Sequence, residues 1–481
     1  MKPNILFIVI DSLRADKCHG NKKTSVTPNI DALIENGTYF AQNITSAPST
    51  IPSMSSILTG LYPFECVTKQ EKFFTINDSV DNYIKKLEEN NYNCYCTIPK
   101  IISYLGFEKI FRENLETYDR TSTLYNGLGE KIVDRISSHA MNEPWFYYLH
   151  LYDLVWISSN AHFDPNDGPD EIRNNKFGMN QYERIFSVMD TWFGRIFQNL
   201  DLKNTLTVMT GDHGTDIGVY TPTMEQENQK FQKLRANDSG DSFRIGQKIA
   251  KKIPRRLVPF RKKLSDKHMT KNEKYVKNKI QIESEKIEKL GLSPYEERLM
   301  KYSVIPIQNL YDEKYHVPLI FSGYNVPSEV LISEQVRSVD IFSTIMDIIG
   351  LNTINENKRG RSLLPFMQGK HFDELPVYME SAINAIKSLT DNTIGIRTSE
   401  FKYFRDKNSS TKNVHLYNLR KDRLEENNIA NNKNNVVIKM EEILQDILKN
   451  RNAKQEKSYE EIDDNKSRII ESELKKLGYI N

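Results

Sequence analysis

Five side chains capable of joint chemistry stand at the ends of predicted elements. Asp11 closes the apolar run ILFIVI, Thr50 and Ser53 open the helical stretch TIPSMSSILTG, and Asp212-His213 follow TLTVMTG inside T-G-D-H-G. Carboxylate, imidazole and hydroxyl oxygen form a mixed donor set for one divalent cation; Mn, Zn, Mg and Ca all fit its chemistry. A cation lowers the pKa of a hydroxyl it binds, so Thr50 becomes a nucleophile near neutral pH. Pro52 suits a first helical turn, where its missing N–H is not needed. The free N–H groups and positive dipole end of that helix favour an anion. The expected chemistry is attack by Thr50 on an anionic phosphate or sulfate ester. Taken alone, the stretch reads more readily as a helix capped by a threonine or serine. The three elements together favour a site.

The elements that must position these residues alternate between strand and helix from residue 1 to about 215. TPNIDALIENG (27–37) reads as a helix with Thr27 as N-cap, Pro28 in the first turn and Gly37 as the stop. VDNYIKKLEENN (80–91) reads as an amphipathic helix followed by the strand YNCYCTI. WFYYLHLYD (145–153) and TLTVMTG read as strands, with a long helix over 181–200 between them. YHVPLIFSG (315–323) is a strand and 336–350 an apolar helix stopped by Gly350. This predicts an α/β fold, a mostly parallel central sheet flanked by helices. Ligands of such sheets bind beyond the carboxyl ends of the strands, where Asp11, Asp153 and Asp212 fall. From about 371, VYME, GIRTSEFKYFR and VHLYNL predict a smaller C-terminal antiparallel-sheet subdomain. The expected division is a catalytic domain over 1–370, interrupted by a polar, basic insert at 216–305, then the subdomain over 371–450. A charged helical tail with little hydrophobic weight, 451–481, would end the chain.

With these motifs in order, the chain resembles the sulfatase family of the alkaline-phosphatase-like superfamily. The family pattern Cys/Ser-x-Pro-Ser-Arg-x-x-x-Leu-Thr-Gly aligns without a gap on Thr50 to Gly60. PNILFIVIDSLRAD, TPNIDALIENGTYF, FYYLHLYD, VMTGDHG, YHVPLIFSG, GRSLLP and LYNLRKDRLEENNIA follow in family order. The resemblance implies the sulfatase fold and one divalent metal held by Asp11, Asp212, His213 and Thr50. It implies a catalytic role for His150; His316 is the second candidate histidine by position, and Ser53, Asp153 and the loop residue Arg14 are the candidate substrate-binding residues. Two departures bear on the chemistry. Thr50 stands where sulfatases carry the Cys or Ser that becomes formylglycine, and its extra methyl prevents that oxidation. Met54 replaces the motif's arginine. Threonine in this place resembles phosphoethanolamine and phosphoglycerol transferase-like members, which implies cleavage or transfer of a phosphate ester through a phospho-threonine. A sulfatase using unmodified Thr50 and an inactive scaffold are the alternatives. Ser12 stands where sulfatases often have a further metal aspartate. Leu154-Val155 replace the usual Pro-His, leaving His162 as a substitute.

Bulk composition agrees with a large folded protein. Its 481 residues are 38% hydrophobic and carry a net charge of +2, so the whole chain is not built to bind a polyanion. The run Ile5–Ile10 is too short for a secretory signal and is followed at once by Asp11. Four cysteines without a C-x2-C pair read as core or surface thiols. A cytoplasmic location follows as an expectation. Within the insert, RIGQKIAKKIPRRLVPFRKKL (244–264) sets apolar residues at spacings of three or four against a basic face, the pattern of a helix on an anionic membrane surface. Pro254 and Pro259 interrupt it. The expected partner is an anionic ester, sugar- or lipid-linked, with peripheral membrane contact through 244–264 and no nucleic acid.

Overall fold

The computed structural model describes residues 2–70, 73–119, 122–158, 169–215, 281–282, 284–304, 309–351, 358–381, 393–449 and 464–476. Its centre is an eight-stranded sheet. The strands are β1 (Asn4–Ile10), β2 (Gly37–Ile44), β5 (Asn93–Pro99), β6 (Leu115–Tyr118), β7 (Trp145–Leu151), β8 (Thr205–Gly211), β9 (His316–Gly323) and β10 (Val330–Arg337). A short hairpin, β3 (Val67–Lys69) with β4 (Phe74–Ile76), stands apart. The order across the sheet is β10-β2-β9-β8-β1-β7-β5-β6. Only β9 runs against its neighbours. NILFIVI and WFYYLHL are buried along their whole lengths, as strands covered on both faces must be.

The helix Pro28–Glu35 forms as expected, but its ends are made differently. Thr27 occupies the N-cap position, but its hydroxyl caps no backbone N–H and lies 3.5 Å from Asp31 Oδ1. The free N–H groups of Asn29 and Ile30 instead donate to the Asp190 carboxylate at 3.0 and 2.8 Å. Asn36 ends the helix, and Gly37 is the first residue of β2 rather than a stop. A Cβ there would lie 2.2 Å from the Phe321 carbonyl oxygen, so the glycine serves close strand approach. The helix Gln181–Gln198 carries Asp190 and buries Ile185, Phe186, Met189, Phe193 and Ile196. Its N-terminus is capped by Asn180, whose side chain accepts from Glu183 N.

The C-terminal antiparallel sheet is β11 (Val377–Glu380), β12 (Thr393–Arg397), β13 (Phe401–Asp406) and β14 (His415–Asn418). Tyr378, Ile394, Ile396, Tyr403 and Leu416 form its core with Met440 and Leu444 of the helix Asn434–Lys449. A second helix, Asp464–Lys476, buries Ile470 completely in the core that contains Ile101 and Leu105. The tail therefore has more apolar anchorage than its charge suggests, because single residues at the right helical positions suffice.

The chain divides into two compact units. One comprises Met1–Thr215, Asn309–Ala385 and Asn392–Asn481; the other comprises Asp216–Gln308 and Ile386–Asp391. In the second unit the described part includes the helix Pro294–Val304, with Ile287 packed on Met300. The basic stretch 244–264 and His162 lie outside the described residues. All four cysteines are buried free thiols. Among the described residues, no helix is long and apolar enough to cross a membrane.

Candidate active site and metal centre

Three adjacent strands bring the acidic residues together. In β8-β1-β7, Ile10 is level with Gly211 and Val9 with His150. Asp11 thus lies one residue past β1 and Asp212 one past β8, while His150 sits two residues further back, inside β7 and level with Val9. One ligand atom from each of Asp11, His150 and Asp212 falls within 4.8 Å of the other two.

Asp11 is the hub. Its Oδ2 accepts from Thr50 Oγ1 at 2.9 Å and meets His150 Nε2 at 3.3 Å. Its Oδ1 accepts from Ser12 Oγ at 2.8 Å and lies 3.8 Å from His213 Nε2. Asp212 Oδ1 is held by the backbone N–H groups of Ser12 (3.1 Å) and His213 (2.7 Å). Its Oδ2 is left 3.5 Å from His213 Nε2. His213 Nδ1 lies 2.8 Å from the Gly214 carbonyl. A carbonyl only accepts, so Nδ1 carries the proton and Nε2 keeps its lone pair. Asp212 Oδ2 and His213 Nε2 are both buried without a hydrogen-bond partner. Buried polar atoms are rarely left so, and a carboxylate oxygen and an imidazole lone pair orphaned side by side fit a divalent cation.

The electrostatics agree. Burial pushes the Asp212 carboxyl up, and the neighbouring Asp11 charge pushes it further. Burial also opposes ionisation of Asp11, but the His150 hydrogen bond and the His213 charge outweigh it and hold Asp11 below the usual range. Burial alone would depress the His213 imidazole, yet Asp212 and Asp11 raise it. Two buried carboxylates this close call for positive charge.

Thr50 is the first residue of the helix Thr50–Thr59, with Ser49 rather than Thr50 at the N-cap. The helix ends at Gly60, which adopts φ 67°, the left-handed cap its glycine allows. The hydroxyl of Ser53 donates to the Asp212 carbonyl and pairs with Thr45 Oγ1 at 2.7 Å. This completely buried serine locks the helix onto the Asp212 loop, which is a positioning task rather than the expected substrate contact.

Other expected residues are engaged elsewhere. Arg14 forms a two-pronged pair with Asp16 at 2.8 and 2.9 Å. His316 Nε2 meets the Ala41 carbonyl at 2.7 Å. Asp312 and His316 have the Asp-x-x-x-His spacing of ligands on consecutive turns, but Asp312 pairs with Arg397 and Lys402. Asp153 starts the helix Asp153–Ser158 and its Oδ1 accepts from Leu124 N at 2.8 Å. Among the described residues it is not part of the Asp11–His150–Asp212 group.

Three positioning residues escape sequence reading. Ser12 has φ 64°, rare for a residue with a Cβ, and this turn aims its N–H at Asp212 and its hydroxyl at Asp11. Tyr182 fixes that turn, donating to the Ser12 carbonyl and accepting from Arg14 N. Tyr148 OH lies 2.7 Å from His150 Nδ1; with the phenol donating, Nε2–H points at Asp11. The i, i+2 spacing of Tyr148 and His150 on one strand face is the one sequence signal available for this pair.

Fold and site together define an α/β protein with a carboxylate–imidazole–hydroxyl cluster at the carboxyl ends of its central strands. The chain belongs to the sulfatase family, whose profile matches residues 3–351. A second profile, described as N-sulphoglucosamine sulphohydrolase, C-terminal, matches residues 306–454. Arylsulfatase K of Bos taurus is 28% identical over 144 residues, 29% of this chain and 26% of the relative. Human arylsulfatase D is 45% identical over 65 residues, 13% of this chain and 11% of the relative. These alignments span about a quarter or less of the relatives' own lengths. Among solved structures, a 2-O GAG sulfatase superposes with a TM-score of 0.61 at 13% identity, covering 94% of this chain and 93% of that one. The phosphonate monoester hydrolase of Agrobacterium radiobacter gives 0.59 at 16% identity, covering 94% and 96%.

Proposed function

We propose that this protein cleaves an anionic phosphate mono- or diester through a covalent intermediate on Thr50. The observation that carries the reading is the Thr50 Oγ1–Asp11 Oδ2 hydrogen bond of 2.9 Å at the start of a helix, beside the orphaned Asp212 Oδ2 and His213 Nε2. Asp11, Asp212, His213 and Thr50 would hold one divalent cation. Such a cation supplies Lewis-acid stabilisation of the transferring group and favours the alkoxide form of a hydroxyl.

The chain's own groups do the rest. Thr50 Oγ forms the bond to phosphorus while the bond to the alcohol oxygen breaks, and in this reading His150 Nε2 gives the departing oxygen its proton. The free N–H groups of the helix start face the anionic oxygens. With its phenol donating to Nδ1, Tyr148 leaves the His150 proton on Nε2. Water, or an acceptor hydroxyl in a transferase, then takes the phosphoryl group and frees Thr50.

The threonine is the reason to favour phosphorus, since it cannot become an aldehyde. The family membership and the 2-O GAG sulfatase fold neighbour support the second reading, a sulfate ester cleaved by unmodified Thr50; the phosphonate monoester hydrolase neighbour supports the first. The test compares p-nitrophenyl phosphate, bis-p-nitrophenyl phosphate and p-nitrophenyl sulfate with Mn²⁺, Zn²⁺, Mg²⁺ or Ca²⁺. Phosphoester turnover that falls by at least about 1000-fold in Thr50→Ala is expected for loss of a nucleophile. Turnover of the sulfate alone would replace the phosphate reading with the second one. A sugar- or lipid-linked ester at a cytoplasmic membrane surface, reached through 244–264, completes the proposal for substrate and location.

A further inference from the structure

The helix Thr50–Thr59 has 10 residues, so its far end lies about 15 Å from Thr50. Its C-cap, Gly60, is held by the segment that Lys358 begins. Arg359 N and Gly360 N donate to the Gly60 carbonyl at 2.7 and 3.2 Å, and Arg359 pairs with Glu65 at 2.6 Å. This anchorage sets where Lys358 can reach. Its Nζ donates to the Asp81 carbonyl at 2.7 Å and stands 5.5 Å from the centre of the Tyr83 ring. Lys86, on the helix Tyr83–Glu89, puts its own Nζ 5.7 Å from the same centre and 3.9 Å from Asp81 Oδ2. Phe342 stacks on that ring with centroids 5.4 Å apart and planes 15° from parallel, so the two ammonium groups share the face it leaves open.

We propose that Lys358 is an acylation site, taking a small acyl group from an acyl phosphate. The Nζ lone pair forms the bond to the acyl carbon. The bond from that carbon to the phosphate oxygen breaks, phosphate leaves with the electron pair, and one Nζ proton passes to solvent. The surroundings suit the product better than the ammonium. Two cations, Lys86 and Lys358, face one carboxylate, Asp81; acylation leaves Lys86 and Asp81 as a matched pair. The new amide keeps an N–H for the Asp81 carbonyl, and the acyl carbons gain the Tyr83 ring as an apolar surface. Burial of the half-exposed Lys358 brings its ammonium down to about 8, with the Lys86 charge adding to the fall and Asp81 opposing it. Roughly a tenth of the group is then free amine at pH 7, against less than about a thousandth for an ordinary lysine. The site stands at the opposite end of the helix from Thr50, so the inference does not depend on the ester-cleaving reading.

The test treats the full chain with limiting acetyl phosphate and follows each lysine by quantitative peptide mass spectrometry. Lys85, exposed on the same helix as Lys86, is the internal reference. At pH 7 Lys358 should acetylate about tenfold faster than Lys85. At pH 10 the ratio should fall to about one or below, because ordinary lysines are then partly free amine and burial only hinders Lys358. Lys86→Met removes the neighbouring cation and should slow Lys358 about threefold at pH 7; Asp81→Asn removes the opposing carboxylate and should speed it by a similar factor. Equal rates for Lys358 and Lys85 at pH 7 would overturn the proposal. A ratio that does not change with pH would also overturn it, since accessibility alone would then set the rate. Variant rates that shift in the same direction would count against the charge argument in the same way. The wild-type pH profile decides the matter without either variant.

Discussion

Asp153 shows how far the fold can set one residue's charge. The carboxyl is completely buried, Oδ1 accepts from Leu124 N, and Oδ2 has no hydrogen-bond partner. Burial pushes its pKa up to about 7, against the partial relief of the backbone N–H bonds. The folded state thus holds this proton more tightly than the unfolded chain, whose value is 3.8. The stability this contributes is full below pH 4 and is lost as pH rises through about 7. A shift of this size corresponds to at most about 4 kcal/mol. Urea midpoints measured from pH 4 to pH 8 should therefore fall in wild type relative to Asp153→Asn, and parallel curves would refute the shift. The same scale shows what sequence could and could not reveal. Asp11, Thr50, Asp212 and His213 were legible because each ends a strand or opens a helix in a recognisable motif. Ser12 and Tyr182 were not, because their work is a hydrogen bond to a residue about 170 or more positions away. Ser53, Arg14 and His316 were legible as polar residues near the motifs, but tertiary partners decide where their polar groups go.

Elements were read better than their ends. The alternation of apolar runs and amphipathic stretches predicts the central strands and the 181–198 helix, since burial on two faces or on one imposes those periods. Ends depend on partners the local sequence does not contain. Thr27 has the right chemistry to cap the helix Pro28–Glu35, yet Asp190 performs the task with two backbone N–H bonds and a third, at 2.8 Å, from Asn29 Nδ2. Asp190 is itself pushed up by burial and pulled back by those donors. Replacing it with alanine should cost about 1–2 kcal/mol, the upper range for loss of a cap. Thr27→Ala should cost less than about 0.5 kcal/mol through loss of a cap. Chemical denaturation of the two variants checks the assignment, and the reverse ranking would return the cap to Thr27.

Across the molecule, the C-terminal sheet and the His213 loop are joined by a buried ionic cluster. Lys402 of β13 is completely buried between Asp312 and Glu425, 2.7 Å from the latter. Arg397 of β12 reaches Asp312 at 2.9 Å, and Asp312 N donates to Glu425 Oε2 at 2.8 Å. Asp312 begins the turn whose Lys314 carbonyl accepts from Gly214 N, directly after His213. A Cβ at Gly214 would lie 2.0 Å from the Glu313 carbonyl oxygen, so loop and turn pack without slack. The Arg397 and Lys402 charges hold the Asp312 carboxyl well below its ordinary range despite burial, while burial leaves Glu425 at about 7. Lys402→Met would leave Glu425 without its cation beside the Asp312 carboxylate, which costs about 3–5 kcal/mol when a buried pair loses one partner. Adding Glu425→Gln to that variant removes the uncompensated charge and leaves Asp312 paired with Arg397. The double variant should therefore recover a large part of the loss, giving a coupling energy of about 1–3 kcal/mol in a denaturation cycle. Strict additivity would mean that the cluster is three independent contacts. Coupling would mean that it acts as one unit, with the C-terminal sheet setting the position of the turn against which the His213 loop is built.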